Sequence, residues 1–280
     1  MICLKRSSKR KMHSTSAFSP ESIKAYGETQ TIGKKIHVFE QLDSTNSEAY
    51  RRAREGGEEG EVVVADCQLR GKGRLGRSWL SPPGANLYVS VILRPPIEVR
   101  NAPLLTLMAA VAAVKAVKRI TGIEPRIKWP NDLLVHGKKV AGLLNEMNAR
   151  GGQVDFVILG IGINVNMSPG TIPEEMRPIA TSLREELGHE ISRVELLHAL
   201  LKEVEGEYQA FMADERERIL REWEEFSQMV GTTVEVRSFN EIIRGRVKGI
   251  DSHGSLILAA PDGSERTVIA GDVSHVRKLP

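Results

Sequence analysis

Apolar residues recur with two different periods between residues 35 and 229, and these periods predict a fold of mixed strands and helices. A Val-rich run at 61–66 and alternating Leu and Val at 86–93 are typical of buried strands. From Leu104 to Val117 apolar residues recur every three or four positions, which predicts a helix closed by Gly122. Further segments with strand character are 35–39, 126–129, 132–135, 139–147 and 155–166. The pattern therefore predicts an α+β fold in which helices flank a mixed sheet.

Two segments have the sequence of a capping box, in which Ser or Thr is followed three residues later by Glu. Thr45-Asn-Ser-Glu48 predicts a helix that stops at Gly56-Gly57. Ser192-Arg-Val-Glu195 predicts a helical stretch that reaches about Phe226, with a break near 212–214. Both helices belong to the large domain predicted for residues 35–229.

The pattern changes after Gly231, where short strands replace long helices. Strands are predicted at 233–237, 242–250, 255–259 and 266–269, and residues typical of turns separate them. Short strands at this spacing are typical of a small barrel. We therefore predict three regions: a disordered N-terminal arm at 1–34, a large domain at 35–229 and a small all-β domain at 230–280.

The charge distribution limits the classes of partner. The net charge of the 280-residue chain is +3, but residues 1–20 carry five basic residues and no acid, so the remainder sums to −2. A nucleic-acid-binding domain is expected to be basic as a body, so general nucleic-acid binding is not favoured. The arm has no apolar core of a secretory signal, and an organelle-targeting role for it stays open.

Apolar content and cysteine usage indicate a cytoplasmic protein. The longest apolar helical run, 102–120, contains three basic residues and does not have the composition of a membrane span. Cys3 and Cys67 cannot form a disulfide framework, which is typical of a reducing compartment. We interpret Cys67 as a small core residue.

A basic glycine loop at 70–79 is the most informative segment. Gly71, Gly73 and Gly76 have the spacing of a dinucleotide-binding loop, but Ser81-Pro-Pro-Gly84 follows instead of the helix that such a loop requires. The Lys-Ser/Thr pair of a phosphate-binding P-loop is also missing. From 67 to 97 there is no acid, while five Lys and Arg residues are present. Glycines allow close backbone approach and cations bind phosphate, so the loop is predicted to hold an anion. The alternative is a solvated surface loop.

Two further motifs place polar residues at the ends of strands. Lys128-Trp-Pro-Asn-Asp132 sets an Asn and an Asp at a strand junction, and Lys139 precedes an apolar strand in which Gly142 predicts close packing by a ligand or another backbone. The alternative there is a turn with a surface lysine. The segment 160–164 is either an ordinary buried strand or a flat backbone platform under a ligand, with Asn164 as its polar group.

Together with Asp43-Ser-Thr-Asn46 and Gln68, these motifs resemble those of the biotin–protein ligases, also called biotin–[acetyl-CoA-carboxylase] ligases. Order and spacing agree from about residue 36 to the C-terminus, where the family has a small SH3-like domain. The resemblance implies a class II synthetase-like catalytic domain and the short form that lacks an N-terminal DNA-binding domain. One departure is Lys72, where the family usually has arginine; lysine keeps the charge but loses the bidentate fork. The motifs that carry the resemblance are Asp43-Ser-Thr-Asn46, Gln68, Gly71–Trp79, Lys128–Asp132, Lys139–Gly142 and Gly160–Asn166.

The resemblance also implies the reaction and its participants. Biotin and ATP, taken with Mg²⁺, would form biotinyl-5′-AMP and pyrophosphate, and a lysine of a biotin carboxyl carrier protein would then receive the biotin. No metal site of the protein, no sequence-specific DNA binding and no membrane contact are expected, and a homodimer is an open possibility. The implied catalytic residues are Lys139, Asp132 and Arg74. The implied biotin-binding residues are Ser44, Thr45, Asn46, Gln68, Lys72, Gly73, Arg74 and Lys139. The implied nucleotide-binding residues are Arg77, Trp79, Asn131 and Asn164.

Three other functions stay open from the sequence. A lipoate–protein ligase shares the catalytic fold. A transcriptional repressor would need a complete helix-turn-helix, for which the segment 22–33 is too short. A biotin-binding module without catalysis would not depend on Lys139.

Overall fold

The computed structural model describes residues 19–24, 29–238 and 241–275. Its helices are α1 (Pro20–Lys24), α2 (Thr45–Arg54), α3 (Pro103–Thr121), α4 (Leu183–Leu187), α5 (Arg193–Met212) and α6 (Arg216–Ser227). Its strands are β1 (Ile36–Leu42), β2 (Val62–Gln68), β3 (Leu87–Leu93), β4 (Arg126–Lys128), β5 (Asp132–Val135), β6 (Lys138–Arg150), β7 (Gln153–Ile163), β8 (Thr233–Arg237), β9 (Ile242–Ile250), β10 (Leu256–Ala259), β11 (Glu265–Val268) and β12 (Asp272–His275).

A seven-stranded mixed sheet forms the large domain, in the order β1-β2-β3-β7-β6-β5-β4. Only β1 and β2 run parallel, and the other neighbours are antiparallel. Val63 and Ile92 pack with α2, whereas Val62 and Val91 belong to the main core with α3 and α5. Successive residues of a strand point to opposite faces of the sheet, so helices cover both faces, as the predicted α+β fold requires.

The C-terminal region is a five-stranded antiparallel sheet in the order β11-β10-β9-β8-β12. It packs on the large domain: the indole Nε1 of Trp129 donates to the Gly254 carbonyl at 3.0 Å, and a Cβ at Gly254 would lie 2.8 Å from Leu107 Cδ1. The boundary predicted at 229–230 falls between α6 and β8. No helix in the described part of the chain combines the length and the apolarity needed to cross a bilayer.

The structure corrects the prediction of a disordered arm over 1–34. Ile23 in α1 and Ile32 are fully buried in the main core. The carboxylate of Glu205 on α5 accepts backbone N–H bonds from residues 30, 31 and 32, the shortest of them 2.5 Å from Thr31. Two buried isoleucines and a satisfied backbone therefore place 19–24 and 29–34 in the folded body, while residues 1–18 lie outside the described part.

In one of the two predicted capping boxes the N-cap serine makes its bond. Ser192 Oγ accepts from the Glu195 N–H at 3.3 Å, as predicted. The helix predicted from Thr45-Asn-Ser-Glu48 is present as α2, but its capping box does not form: Ser44 is the N-cap, and no side-chain hydrogen bond caps the helix. The Thr45 hydroxyl is instead 3.1 Å from Gln68 Oε1 on β2. A tertiary hydrogen bond thus replaces the local one.

Candidate active site

A cavity of about 480 Å³ lies where the glycine loop crosses the seven-stranded sheet and approaches the C-terminal sheet. It brings together residues that are far apart in the chain. Twelve of the thirteen site residues predicted from the sequence line it: Ser44, Thr45, Asn46, Gln68, Lys72, Gly73, Arg74, Arg77, Trp79, Asn131, Asp132 and Lys139.

Gln68, at the end of β2, joins α2 to the base of the glycine loop. Its Oε1 accepts the Thr45 N–H at 2.8 Å, and its Nε2 donates to Ser81 Oγ at 2.8 Å. Ser90 Oγ on β3 lies 2.9 Å from Thr45 Oγ1. These bonds fix the hydroxyl and amide groups at one end of the cavity, where they can recognise a small polar head group.

Asn46 is held in this end of the cavity by three partners. Its Oδ1 accepts from Ser90 Oγ at 2.6 Å, and its Nδ2 donates to the Leu144 carbonyl at 3.2 Å and to Glu146 Oε2 at 2.9 Å. A Cβ at Gly160 would lie 2.1 Å from Asn46 Oδ1, so glycine is required there. Residues 160–163 thus belong to the buried strand β7, whose Gly160 makes room for a polar side chain, and residues 160–162 also line the cavity, so the prediction of a backbone platform under a ligand stays open.

The glycine loop is a short finger with ordered backbone. Lys72 pairs with Ser78 across the finger, and Gly73 N–H donates to the Arg77 carbonyl at 2.7 Å. At the tip, Leu75 has φ 55° and Gly76 has φ 73°, left-handed conformations that close the turn. The Lys72 ammonium lies 3.0 Å from Glu146 Oε1, so the finger is fastened to β6 on the side of Asn46.

The other side of the finger is fastened to the C-terminal sheet. Arg74 Nη1 donates to Asn131 Oδ1 at 3.1 Å and to the Gly271 carbonyl at 3.3 Å, and lies 3.7 Å from Asp272 Oδ1. Arg77 forms an ion pair with the same Asp272. Asp272 lines the cavity, and the sequence carries no signal for this role because Arg77 lies 195 residues earlier in the chain.

Lys139 and Asp132 form the charged pair at the centre of the cavity. Lys139 Nζ lies 2.6 Å from Asp132 Oδ1 and 5.2 Å from the centroid of the Trp79 ring. A Cβ at Gly162 would lie 2.6 Å from Trp79 Nε1, and a Cβ at Gly142 would lie 3.0 Å from Trp79 Cζ3. The close packing predicted at Gly142 is therefore made by an indole side chain.

Asn164 is the one predicted site residue that does not line the cavity. It is 5% exposed, and its Nδ2 donates to the Thr181 carbonyl at 3.0 Å. Its Oδ1 faces the Asn86 amide at 3.5 Å. Both ends of the amide have partners within the protein, and the predicted contact of this side chain with a nucleotide stays a prediction.

Burial modifies two titratable groups near the site. Desolvation lowers the pKa of the Arg74 guanidinium, an effect opposed by the charges of Asp272 and Asp132, and arginine stays protonated in any case. Desolvation and the neighbouring Asp66 raise the pKa of the Cys67 thiol, which disfavours the reactive thiolate. Within the described ranges, no three His, Cys, Asp or Glu side chains are grouped as a metal site would need.

Known proteins share both domains of this chain. Residues 38–164 match the Biotin/lipoate A/B protein ligase family, and residues 230–276 match the Biotin protein ligase C terminal domain. The Bifunctional ligase/repressor BirA of Bacillus subtilis (strain 168) is 39% identical over 238 residues, covering 85% of this chain and 73% of that protein. The Biotin--[acetyl-CoA-carboxylase] ligase of Paracoccus denitrificans is 35% identical over 81% of this chain and 95% of its own length.

A solved structure supports the same family assignment. The biotin protein ligase from Aquifex aeolicus, in complex with biotin and ATP, superposes with a TM-score of 0.76 at 32% identity, over 88% of this chain and 100% of that chain. The sequence relatives span both domains and the superposition extends over nearly the whole described fold. The chain therefore belongs to the biotin protein ligase family.

Proposed function

We propose that this protein is an ATP-dependent biotin–protein ligase that forms biotinyl-5′-AMP and then transfers biotin to a lysine of a carrier protein. The observation that carries the proposal is the convergence in one cavity of Lys139, Asp132 and Arg74 with a fixed polar pocket around Thr45 and Asn46. Membership of the biotin protein ligase family supports it. ATP enters as its Mg²⁺ complex.

The first half-reaction joins two anions. The biotin carboxylate attacks the α-phosphate of ATP, and pyrophosphate leaves. Bringing two unit charges of like sign to 4 Å costs about 4 kcal/mol at an effective dielectric of 20. Lys139 and Arg74 supply opposing charge from two sides of the cavity, and Lys72 adds a third cation at the polar end. Catalysis at this site is therefore positioning and electrostatic stabilisation.

The second half-reaction needs a neutral amine. The acceptor lysine attacks the acyl carbon of the mixed anhydride, the bond to AMP breaks, and the amine loses a proton. Asp132 is the carboxylate beside Lys139 in the cavity and is the group that would orient the amine and accept this proton. Asn131, held by the Leu143 carbonyl at 2.7 Å, keeps Arg74 at the nucleotide side.

The contacts proposed for biotin and those proposed for the nucleotide lie on different sides of the cavity. Ser44, Thr45, Asn46 and Gln68 would hold the ureido head of biotin, with Lys72 and Gly73 of the finger above it. Arg77 and Trp79 would contact the nucleotide.

The test is pyrophosphate release with purified protein. We expect release that depends on both biotin and Mg·ATP, and transfer of biotin to a carrier domain in the same mixture. Release with lipoate instead of biotin would assign a lipoate–protein ligase. Lys139→Ala should reduce biotin-dependent release by at least a hundred-fold; a wild-type protein that binds biotin but releases no pyrophosphate would instead be a biotin-binding module without catalysis.

Four properties of the proposed enzyme stay predictions. The acceptor is a biotin carboxyl carrier protein of a biotin-dependent carboxylase, which mass spectrometry of the carrier after reaction tests. The location is the cytoplasm, tested by cell fractionation. The chain has no sequence-specific DNA binding, and whether it forms a homodimer is decided by sedimentation with and without the adenylate.

A further inference from the structure

Trp129 is the buried residue of a turn that carries two cavity residues. The turn joins β4 to β5, and these strands pair at Lys128 and Asp132. Asn131 and Asp132 line the cavity, whereas Trp129 does not line it and is only 2% exposed. The indole therefore lies behind the part of the cavity wall that the turn forms.

Both donor groups of Trp129 are bonded to residues that follow α6. Its indole Nε1 donates to the carbonyl of Gly254, in the turn between β9 and β10, at 3.0 Å. Its backbone N–H donates to the thioether sulfur of Met229 at 3.3 Å, and Met229 lies in the connection from α6 to β8. Met229 is also 2% exposed, so both bonds lie in a surrounding of low dielectric, which strengthens them. The C-terminal sheet and the connection that leads into it thus supply both acceptors.

The turn that contains Gly254 is itself held in place. Asp251 Oδ1 accepts the N–H groups of His253 and Ser255, each at 2.8 Å. A Cβ at Gly254 would lie 2.8 Å from Leu107 Cδ1, so this turn packs tightly on α3. The acceptor of the indole therefore has a defined position relative to the large domain.

The residues that follow the indole are bonded to the reacting side of the cavity. Asn131 Nδ2 donates to the Leu143 carbonyl at 2.7 Å, and its Oδ1 accepts from Arg74 Nη1 at 3.1 Å. Asp132 Oδ1 lies 2.6 Å from Lys139 Nζ. A shift at the start of the turn would therefore reach two groups to which the proposed reaction assigns roles.

We infer that Trp129 is a positioning residue that sets Asn131 and Asp132 from the side of the C-terminal sheet. Its two hydrogen bonds hold the start of the turn, and the turn determines where the amide and the carboxylate lie. A displacement of about 1 Å at a reacting group can cost a hundred-fold in rate, which makes such a tie relevant to turnover. The inference rests on the proposed function, because it takes Asp132 and Arg74 as groups that face the substrates.

Trp223 provides a matched control for the indole. It is 1% exposed and belongs to the same core as Trp129, but its Nε1 has no hydrogen-bond partner within the described residues. Trp129→Phe and Trp223→Phe make the same change of side chain in the core, and only Trp129→Phe removes a hydrogen bond. Both variants should lose stability, while only Trp129→Phe should change the reaction.

Gly254 and Gly263 form a second pair, on the side of the C-terminal sheet. Both have φ 84°, so alanine introduces the same backbone strain at each. A Cβ at Gly263 meets nothing within 4 Å, whereas a Cβ at Gly254 would push its turn away from Leu107. Gly254→Ala therefore moves the acceptor of the indole and changes no residue of the large domain. This pair decides the question if Trp129→Phe does not fold.

The experiment measures pyrophosphate release and hydrogen exchange in the wild type and the four variants, at a temperature at which each is folded. We expect Trp129→Phe and Gly254→Ala to lower kcat about ten-fold or more. KM for biotin should stay within about two-fold, because the polar pocket for the biotin head lies on other elements. The two control variants should keep the wild-type kcat. Amide exchange at residues 131 and 132 should accelerate in Trp129→Phe and Gly254→Ala and not in the controls.

Other outcomes overturn the inference. Equal kcat within either pair of variants, or unchanged exchange at residues 131 and 132 in Trp129→Phe and Gly254→Ala, would each do so. A rise in KM for biotin at unchanged kcat would also do so, since the effect would then lie at the other end of the cavity. If the wild type releases no biotin-dependent pyrophosphate, the proposed function fails, and the exchange data still decide whether Trp129 holds the turn.

Discussion

Gly160 is the residue on which the placement of Asn46 depends most directly, and Gly160→Ala tests the polar pocket. The added Cβ would lie 2.1 Å from Asn46 Oδ1 and 2.8 Å from its Cγ, far inside van der Waals contact. Asn46 is 4% exposed and follows the N-cap of α2, so the side chain has little room to turn away. We expect the amide to leave its position.

The cost follows from the bonds that the amide gives up. Asn46 is bonded to Ser90, to the Leu144 carbonyl and to Glu146. At about 1 kcal/mol net for each hydrogen bond, and somewhat more for the one to a charged group, the loss is about 2–4 kcal/mol. One kcal/mol lowers Tm by about 2–4 °C in a chain of roughly this size, so Tm should fall by roughly 4–16 °C. If Asn46 contacts biotin, KM for biotin should also rise at least ten-fold.

Thermal unfolding and steady-state pyrophosphate release measure the two effects. Gly206→Ala is the control, because Gly206 lies in α5 and an added Cβ there meets nothing within 4 Å. Alanine in an exposed helix interior is about 1 kcal/mol more favourable than glycine, so this variant should be slightly stabilised with normal kinetics. A Gly160→Ala protein with wild-type Tm and wild-type KM for biotin would refute the described packing of Asn46.

Three further predictions concern other hydrogen bonds and ion pairs in the structure. Burial alone would raise the pKa of Glu61, but hydrogen bonds from Lys35, the Glu58 N–H and His37 outweigh it and lower the pKa to about 2. A lowered folded-state pKa contributes stability that is fully present above the unfolded value and is lost as the pH falls. Glu61→Gln should therefore unfold more easily at pH 7 and show a shallower loss of unfolding free energy between pH 4.5 and pH 2 in urea titrations; an unchanged slope would contradict this. Asp272→Asn removes the ion-pair partner that Arg77 has on the C-terminal sheet, so amide exchange across residues 71–78 should accelerate while Tm changes by less than about 3 °C, and unaltered exchange would count against the tie. Lys72→Arg restores a bidentate fork opposite Glu146 and should slow biotin dissociation about two- to five-fold in stopped-flow measurements, which an equal or faster rate would disprove.

Local patterns were sufficient for most elements of the fold. The apolar alternation at 86–93 became β3, whose seven residues are all buried, and the helix predicted from Leu104 became α3. The helix prediction succeeds because a helix buries one face with a fixed period, and the strand prediction succeeds because a short run of apolar and β-branched residues is typical of a strand buried on both faces; both signals are present in neighbouring residues. The N-cap bond at Ser192 formed because its donor and its acceptor lie within one turn.

The arm and the first helix cap show where local patterns fail. Nothing near Ile23 or Ile32 indicates burial, because the core that covers them is built by α5, more than 150 residues later. Thr45 has the right spacing for a cap, but Gln68 and Ser90 compete for its hydroxyl in the folded chain. In both cases the outcome depends on residues that are distant in the sequence, which a local pattern does not contain.

By itself, the sequence determined the order of strands and helices, the acid-free glycine loop, and the residue types that converge on the cavity. The tertiary structure alone decided that Asp272 pairs with Arg74 and Arg77, and that the amide of Asn164 donates to the Thr181 carbonyl. The first contact arises where the C-terminal sheet packs on the large domain. The second arises just after the end of β7, where another segment of the chain lies beside Asn164. Contacts between side chains that are far apart in the sequence leave no periodic pattern among neighbouring residues.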